Sequence, residues 1–155
     1  QVAKLDNSTP WSDEEFAAYK EKANEIGAEI IGRVTYEEFA STNTDPNDHF
    51  VVVLSSKEPK NSLPPGVVFC RSIQEAVKIL GTKGFSQFLI SGGSKTNAAA
   101  LEAGIIDEIY LDVEPFIFGE GIPLFAPINK ALKLKLVEAK QISTNTIQLH
   151  YLVEK

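Results

Sequence analysis

Glu29-Ile30-Ile31-Gly32-Arg33-Val34-Thr35-Tyr36-Glu37-Glu38-Phe39 carries the reading that decides the fold. An apolar strand stops at a glycine, and Thr35, with an acid three residues on, offers the cap of a short helix. A similar pattern returns at Phe50-Val51-Val52-Val53-Leu54, a β-branched run ended by Ser55-Ser56-Lys57. A continuous run of that kind predicts a strand buried on both faces, as in a parallel sheet. Phe88-Leu89-Ile90 repeats it, ending in Ser91-Gly92-Gly93-Ser94-Lys95-Thr96 before an alanine-rich helix from Asn97 to Ala103 that Gly104 stops. Strands that end in small polar turns and alternate with helices predict an α/β fold.

Working outward, Ser12-Asp13-Glu14-Glu15 is a capping box, and Phe16, Tyr19, Ala23 and Ile26 follow at helical spacing until Gly27. Residues 41–49 are polar and contain Pro46, which predicts a loop. Val67-Val68-Phe69 is a further short strand. Ser72-Ile73-Gln74-Glu75 opens another helix, with Ile73, Ala76, Val77 and Leu80 on one face as far as Gly81. The last third changes character. Residues 106–113 and 115–118 look extended, while Leu132 to Leu136 and Thr146 to Val153 alternate apolar with polar, which predicts antiparallel strands with one wet face. The reading is one domain over residues 1–155: a mixed, mostly parallel sheet flanked by helices, closed by antiparallel C-terminal strands.

The 155 residues carry 15 Lys and Arg against 21 Asp and Glu, a net charge of −6. That balance argues against a nucleic-acid groove or an anionic membrane surface. A single cysteine, Cys70, makes no internal disulfide, and no apolar run approaches the roughly 18 residues of a membrane helix, so a cytoplasmic protein is expected. The chain begins Gln1-Val2-Ala3 and has no methionine, so its natural start is expected to differ.

Three strand ends concentrate the candidate chemistry: Gly32-Arg33-Val34-Thr35, Ser55-Ser56-Lys57 and Ser91-Gly92-Gly93-Ser94-Lys95-Thr96. Ligands of open α/β sheets bind outside the carboxyl ends of the strands. Glycines let a backbone approach closely, helix N-termini suit phosphate, and Arg33 and Lys57 add positive charge. Each motif alone is most often only a turn; three on one rim would frame a phosphorylated nucleotide. No G-x-x-x-x-G-K-[ST] occurs. Gly119-Glu120-Gly121 begins a dinucleotide fingerprint that Pro123 and Leu124 break. Neither His49, read as solvated, nor His150, read as a sheet-surface residue, has metal-ligand spacing, so no metal is expected. The serines lack an activating base, and Cys70 reads as a buried apolar residue.

The order Ile31 to Glu37, then Val53-Leu54-Ser55-Ser56, then Ile90-Ser91-Gly92-Gly93-Ser94, resembles the dihydrofolate reductase fold. Ile106 to Leu111, Pro115 and Phe118 to Phe125 are similar to the C-terminal reductase domain of bifunctional riboflavin-biosynthesis proteins and their stand-alone relatives, over nearly the whole chain. The resemblance implies an NADPH-dependent reductase acting on a small heterocyclic or ribosyl-derived carbonyl or imine, as 5-amino-6-(5-phosphoribosylamino)uracil reductase does. A dihydrofolate reductase and a non-catalytic dinucleotide-binding module are the alternatives. By the same resemblance Gly32, Arg33 and Thr35 hold cofactor phosphates. Ser55 and Ser56, with Leu54 and Lys57, meet the adenosine ribose and its 2′-phosphate. Gly92 and Gly93 pass close to the cofactor, with Ser94, Lys95 and Thr96 at the pyrophosphate. Ser8 and Trp11 line the substrate pocket, although Trp11 also reads as a hydrophobic staple. Asp13 or a bound water supplies the proton, and Glu120 either faces the pocket or lies exposed in a turn. The family's opening strand is expected ahead of Gln1. The acid that dihydrofolate reductases carry on the first helix falls near Phe16, and Ser91 stands where riboflavin-pathway reductases often place an acid. A homodimer through the terminal strands, Thr146 to Val153, is the implied assembly.

Overall fold

The computed structural model describes residues 12–40, 49–59, 61–117 and 119–155. It begins with α1 (Asp13–Ile26), whose N-cap Ser12 accepts from the Glu15 amide and whose C-cap Gly27 takes the left-handed conformation, φ 75°. Only glycine enters that region without penalty, so the chain turns there directly into β1 (Ala28–Gly32). Then follow α2 (Arg33–Ala40), β2 (Phe50–Leu54), β3 (Val67–Cys70), α3 (Ile73–Thr82), β4 (Leu89–Ile90) and α4 (Ser94–Glu102). The chain closes with β5 (Glu108–Val113), β6 (Leu134–Gln141) and β7 (Ile147–Val153).

The first four strands form a parallel sheet in the order β3-β2-β1-β4, and the last three an antiparallel sheet in the order β5-β7-β6. The expected parallel and antiparallel parts are both present, as separate hydrogen-bonded sheets among the described residues. Apolar residues cover both faces of the parallel sheet. Ala28, Ile30, Val52 and Cys70 pack with Ile73, Ala76 and Leu80 of α3 and Ala100 of α4. Ile31, Val51, Val53 and Val67 pack on the other side with Tyr36 of α2. Val51, Val52 and Val53 are buried, as the unbroken β-branched run requires.

Several boundaries differ from the sequence reading. Arg33, not Thr35, opens α2, so Thr35 lies within its first turn. Helix α4 starts three residues before Asn97, because extended Gly93 acts as its N-cap and its carbonyl accepts the Asn97 amide at 3.0 Å. Residues 115–117 are not a strand; the Phe116 amide turns back onto the Glu114 carbonyl at 2.9 Å. Both capping boxes are half-formed. Ser72 accepts from the Glu75 amide, but Glu75 reaches the Arg71 amide instead of that of Ser72. Ser12 caps Glu15 and donates its hydroxyl to Glu114 Oε1 at 2.6 Å, which ties the start of α1 to the end of β5. No described helix is long and apolar enough to cross a membrane.

Candidate active site

Strands β1, β2 and β3 step outward in one direction, and β4 returns to the other side of β1. The order therefore reverses between β1 and β4, and such a reversal opens a crevice at the strands' carboxyl ends. Because the four strands are parallel, that rim collects the three predicted turns. Gly32 and Arg33 leave β1, Ser55 to Lys57 leave β2, and Ser91 to Gly93 leave β4. The Gly32 amide donates to the Gly92 carbonyl at 2.6 Å, joining the two turns that flank the crevice. Helices α2 and α4 both begin here. The N-cap of α4, Gly93, supplies no side-chain hydrogen bond, so the positive end of that helix faces the crevice without a capping side chain.

The glycines are held by their own neighbours. A Cβ on Gly32 would stand 2.7 Å from Thr96 Oγ1, and one on Gly93 would stand 3.0 Å from Thr35 Oγ1. Gly92 has φ 83° and is joined to Gly93 by a cis peptide bond. Thr96 is 4% exposed, so it braces the crevice from inside rather than presenting its hydroxyl at the rim. Thr35 likewise buttresses the Gly92-Gly93 turn.

The cations are arranged differently from expectation. Arg33 pairs with Glu37 one turn along α2. Ser56 and Lys57 are exposed and free to meet a ligand, but the Ser55 hydroxyl is committed: it donates to the Lys57 carbonyl at 2.7 Å and accepts the Lys57 amide at 3.0 Å. Leu54 packs on the core. Ser94 is half-buried and Lys95 exposed in the first turn of α4. Arg71, at the end of β3 and paired with Glu58, adds a cation to the same rim. Its signal in the sequence was the one used for the other turns, a strand end just before a helix cap.

Helix α1 feeds β1 through Gly27 and packs back against it. Its fourteen residues span about 21 Å and the five of β1 about 16 Å, so its first turn lies toward the carboxyl rim. Asp13 is exposed there, whereas Glu15 turns inward, and its Oε2 is buried without a hydrogen-bond partner. Burial, then the charges of Asp112 and Glu114, raises the Glu15 pKa to about 7. Asp112 is raised as well, by burial and by Glu114, against a hydrogen bond from Gln148. Glu15 is thus the first-turn acid that the fold places inside, and Asp13 is not. Glu120 is exposed in its loop. That loop runs on to Leu124, whose carbonyl accepts from Asn97 of α4 at 2.8 Å, and to Ala126, whose amide donates to Ser94. Ser8 and Trp11 lie outside the described residues.

His49 is not solvated. Its side chain is 11% exposed, with Nε2 2.9 Å from Oε1 of the buried Glu29. His150 does lie on the antiparallel sheet, stacked on Tyr110 and bonded to Glu108. Cys70 is buried, and desolvation pushes its thiol up to about 11, which keeps it an unreactive core residue.

The RibD C-terminal domain family model matches residues 6–148 of this chain. The uncharacterized protein YwjB of Bacillus subtilis is 29% identical over 157 residues, covering 97% of this chain and 89% of its own. Among solved structures, a diaminohydroxyphosphoribosylaminopyrimidine deaminase/5-amino-6-(5-phosphoribosylamino)uracil reductase of Thermotoga maritima superposes with a TM-score of 0.74 at 18% identity. The match covers 99% of this chain and 53% of that one. Dihydrofolate reductase of Enterococcus faecalis, complexed with NADP(H) and RAB-propyl, superposes with a TM-score of 0.70 at 18% identity, over 100% of this chain and 90% of its own. At such identities the likeness is one of fold.

Proposed function

The chain belongs to the RibD C-terminal domain family, and on that premise we propose that it is an NADPH-dependent reductase of a ribosyl-derived carbonyl or imine on a pyrimidine. The observation that carries this reading is that the Gly32 and Gly92-Gly93 turns are joined at the crevice between β1 and β4, with the Ser56 turn of neighbouring β2 on the same carboxyl rim. The residues present suit a dinucleotide. The start of α4 and Lys95 would hold a pyrophosphate, while Arg33, Ser56, Lys57 and Arg71 would offer cations and a hydroxyl to a 2′-phosphate, in a chain whose net charge is −6. When bound, the reduced nicotinamide supplies the hydride.

The chain's part is to align, enclose and protonate. Glu15, with a pKa near neutrality, keeps a proton where an ordinary glutamate would not, and gives it to the nitrogen or oxygen of the C=N or C=O bond as the carbon receives hydride. Ser12 and Thr146 both donate to Glu114, which keeps that carboxylate beside Glu15 and its proton in place. The antiparallel sheet offers a surface for a second copy of the chain. Leu134, Leu136 and Val137 of β6 and Ile147 of β7 are exposed there, and a homodimer through these strands would cover them.

The test is the loss of NADPH absorbance with candidate substrates. Oxidation on adding 5-amino-6-(5-phosphoribosylamino)uracil, and none on adding dihydrofolate, is the expected result. Turnover with dihydrofolate alone would make the protein a pterin reductase. Tight NADPH binding with neither substrate consumed would make it a binding module.

A further inference from the structure

Glu29 is a carboxylate inside β1, 5% exposed, registered between Val51 of β2 and Leu89 of β4. A charge in such a place is tolerated only if it is paired and hydrogen-bonded. Both conditions are met. Oε1 lies 2.9 Å from His49 Nε2, and Oε2 accepts the Tyr19 hydroxyl at 2.7 Å and the Ser91 hydroxyl at 2.5 Å. Burial alone would raise the Glu29 pKa, but hydrogen bonds from His49, Ser91 and Tyr19, with the charge of His49, outweigh it and leave it below the usual value. Burial and the same carboxylate push the Tyr19 phenol upward, so it remains a donor.

The partners come from three parts of the chain. Tyr19 belongs to α1, one helical turn beyond Glu15 and on the same side of the helix. His49 immediately precedes β2. Ser91 leads into Gly92, whose carbonyl takes the Gly32 amide. One oxygen, Oε2, is therefore the common acceptor for the helix that carries the proton donor and the turn that borders the cofactor crevice.

We propose that Glu29 is a positioning residue that sets α1 against the Ser91-Gly92-Gly93 turn through Tyr19 and Ser91, so that proton donor and hydride donor meet the substrate together. The proposal rests on the reductase reading above. A purely structural network would lower the unfolding temperature when cut and leave each step of the reaction alone. A positioning role separates the two arms, because each hydroxyl serves one side of the site.

The experiment removes one hydroxyl at a time from the full chain, since replacing Glu29 itself risks the fold. Calorimetry reads NADPH binding, and turnover with the pyrimidine substrate reads kcat. Ser91→Ala is expected to weaken NADPH about tenfold, the scale of a hydrogen bond to a charged group, and Ser91→Thr, which keeps the donor, to restore it. Tyr19→Phe is expected to leave NADPH affinity unchanged and to lower kcat about tenfold through misplacement of Glu15. If the parent binds NADPH and both variants change only the unfolding temperature, or change affinity and kcat together, the positioning role is wrong and the reductase reading survives. A parent that takes up no NADPH overturns both.

Discussion

Glu15 shows how a common residue in a common place acquires an uncommon pKa. Acids in a first helical turn ordinarily complement the dipole, and Asp13, Glu14 and Glu15 are indistinguishable on that ground. What separates Glu15 is burial, together with the charges of Asp112 and Glu114, about a hundred residues away. No local pattern announces such a contact, which is why Asp13 was as plausible from sequence. The consequence can be measured in two ways. The native carboxyl holds a proton that the unfolded chain releases from about pH 4.5, so folding stability declines as pH rises from there to about pH 7. Glu15→Gln should flatten that decline in a series of thermal melts; an unchanged pH profile would contradict the raised pKa. The same substitution should lower kcat roughly a hundredfold or more, as removal of a general acid does. Arg33 was legible as a cation at a strand end, but its bond to Glu37 was not, because a cap at Thr35 leaves Arg33 outside the helix that it in fact opens. Arg33→Ala should weaken NADPH about tenfold and leave NADH nearly unaffected; equal losses would place the 2′-phosphate elsewhere.

At the scale of elements, capping chemistry and periodicity were readable because they are local. Ser12, Gly27 and Ser72 lie at the helix ends their types favour, and the Val51-Val52-Val53 run is the buried interior of the sheet. Starts set by tertiary contacts were not. Helices α2 and α4 begin directly at the glycines of the preceding strand ends, where Thr96 and Thr35 crowd any side chain on Gly32 and Gly93. Gly32 is thus needed by the chain itself. Gly32→Ala should cost about 1–3 kcal/mol through the clash with Thr96 Oγ1, and Thr96→Ala in the same chain should return part of that loss by chemical denaturation. Failure of the second change to rescue the first would show that something other than this contact excludes a side chain.

Across the whole molecule, fold class and the gathering of three strand ends on one rim were legible because strand order and strand ends follow from pattern and from the parallel-sheet rule. Glu29 was not. It stood in an apolar run with no nearby partner in sequence, and Ser91 meets it across 62 positions. Assembly is the other property of this scale. The exposed apolar residues of β6 and β7 predict a dimer by light scattering, and Leu136→Asp should convert it to a monomer that still melts cooperatively; a monomeric parent would contradict the assignment of that face. The central claim is that turns distant in sequence converge on one rim to bind a phosphorylated reduced dinucleotide. Titration calorimetry of the parent chain tests it directly. Saturable heat at one NADPH per chain is expected, with NADH bound about tenfold or more weakly. No heat with NADPH, or equal affinity for the two dinucleotides, would contradict it.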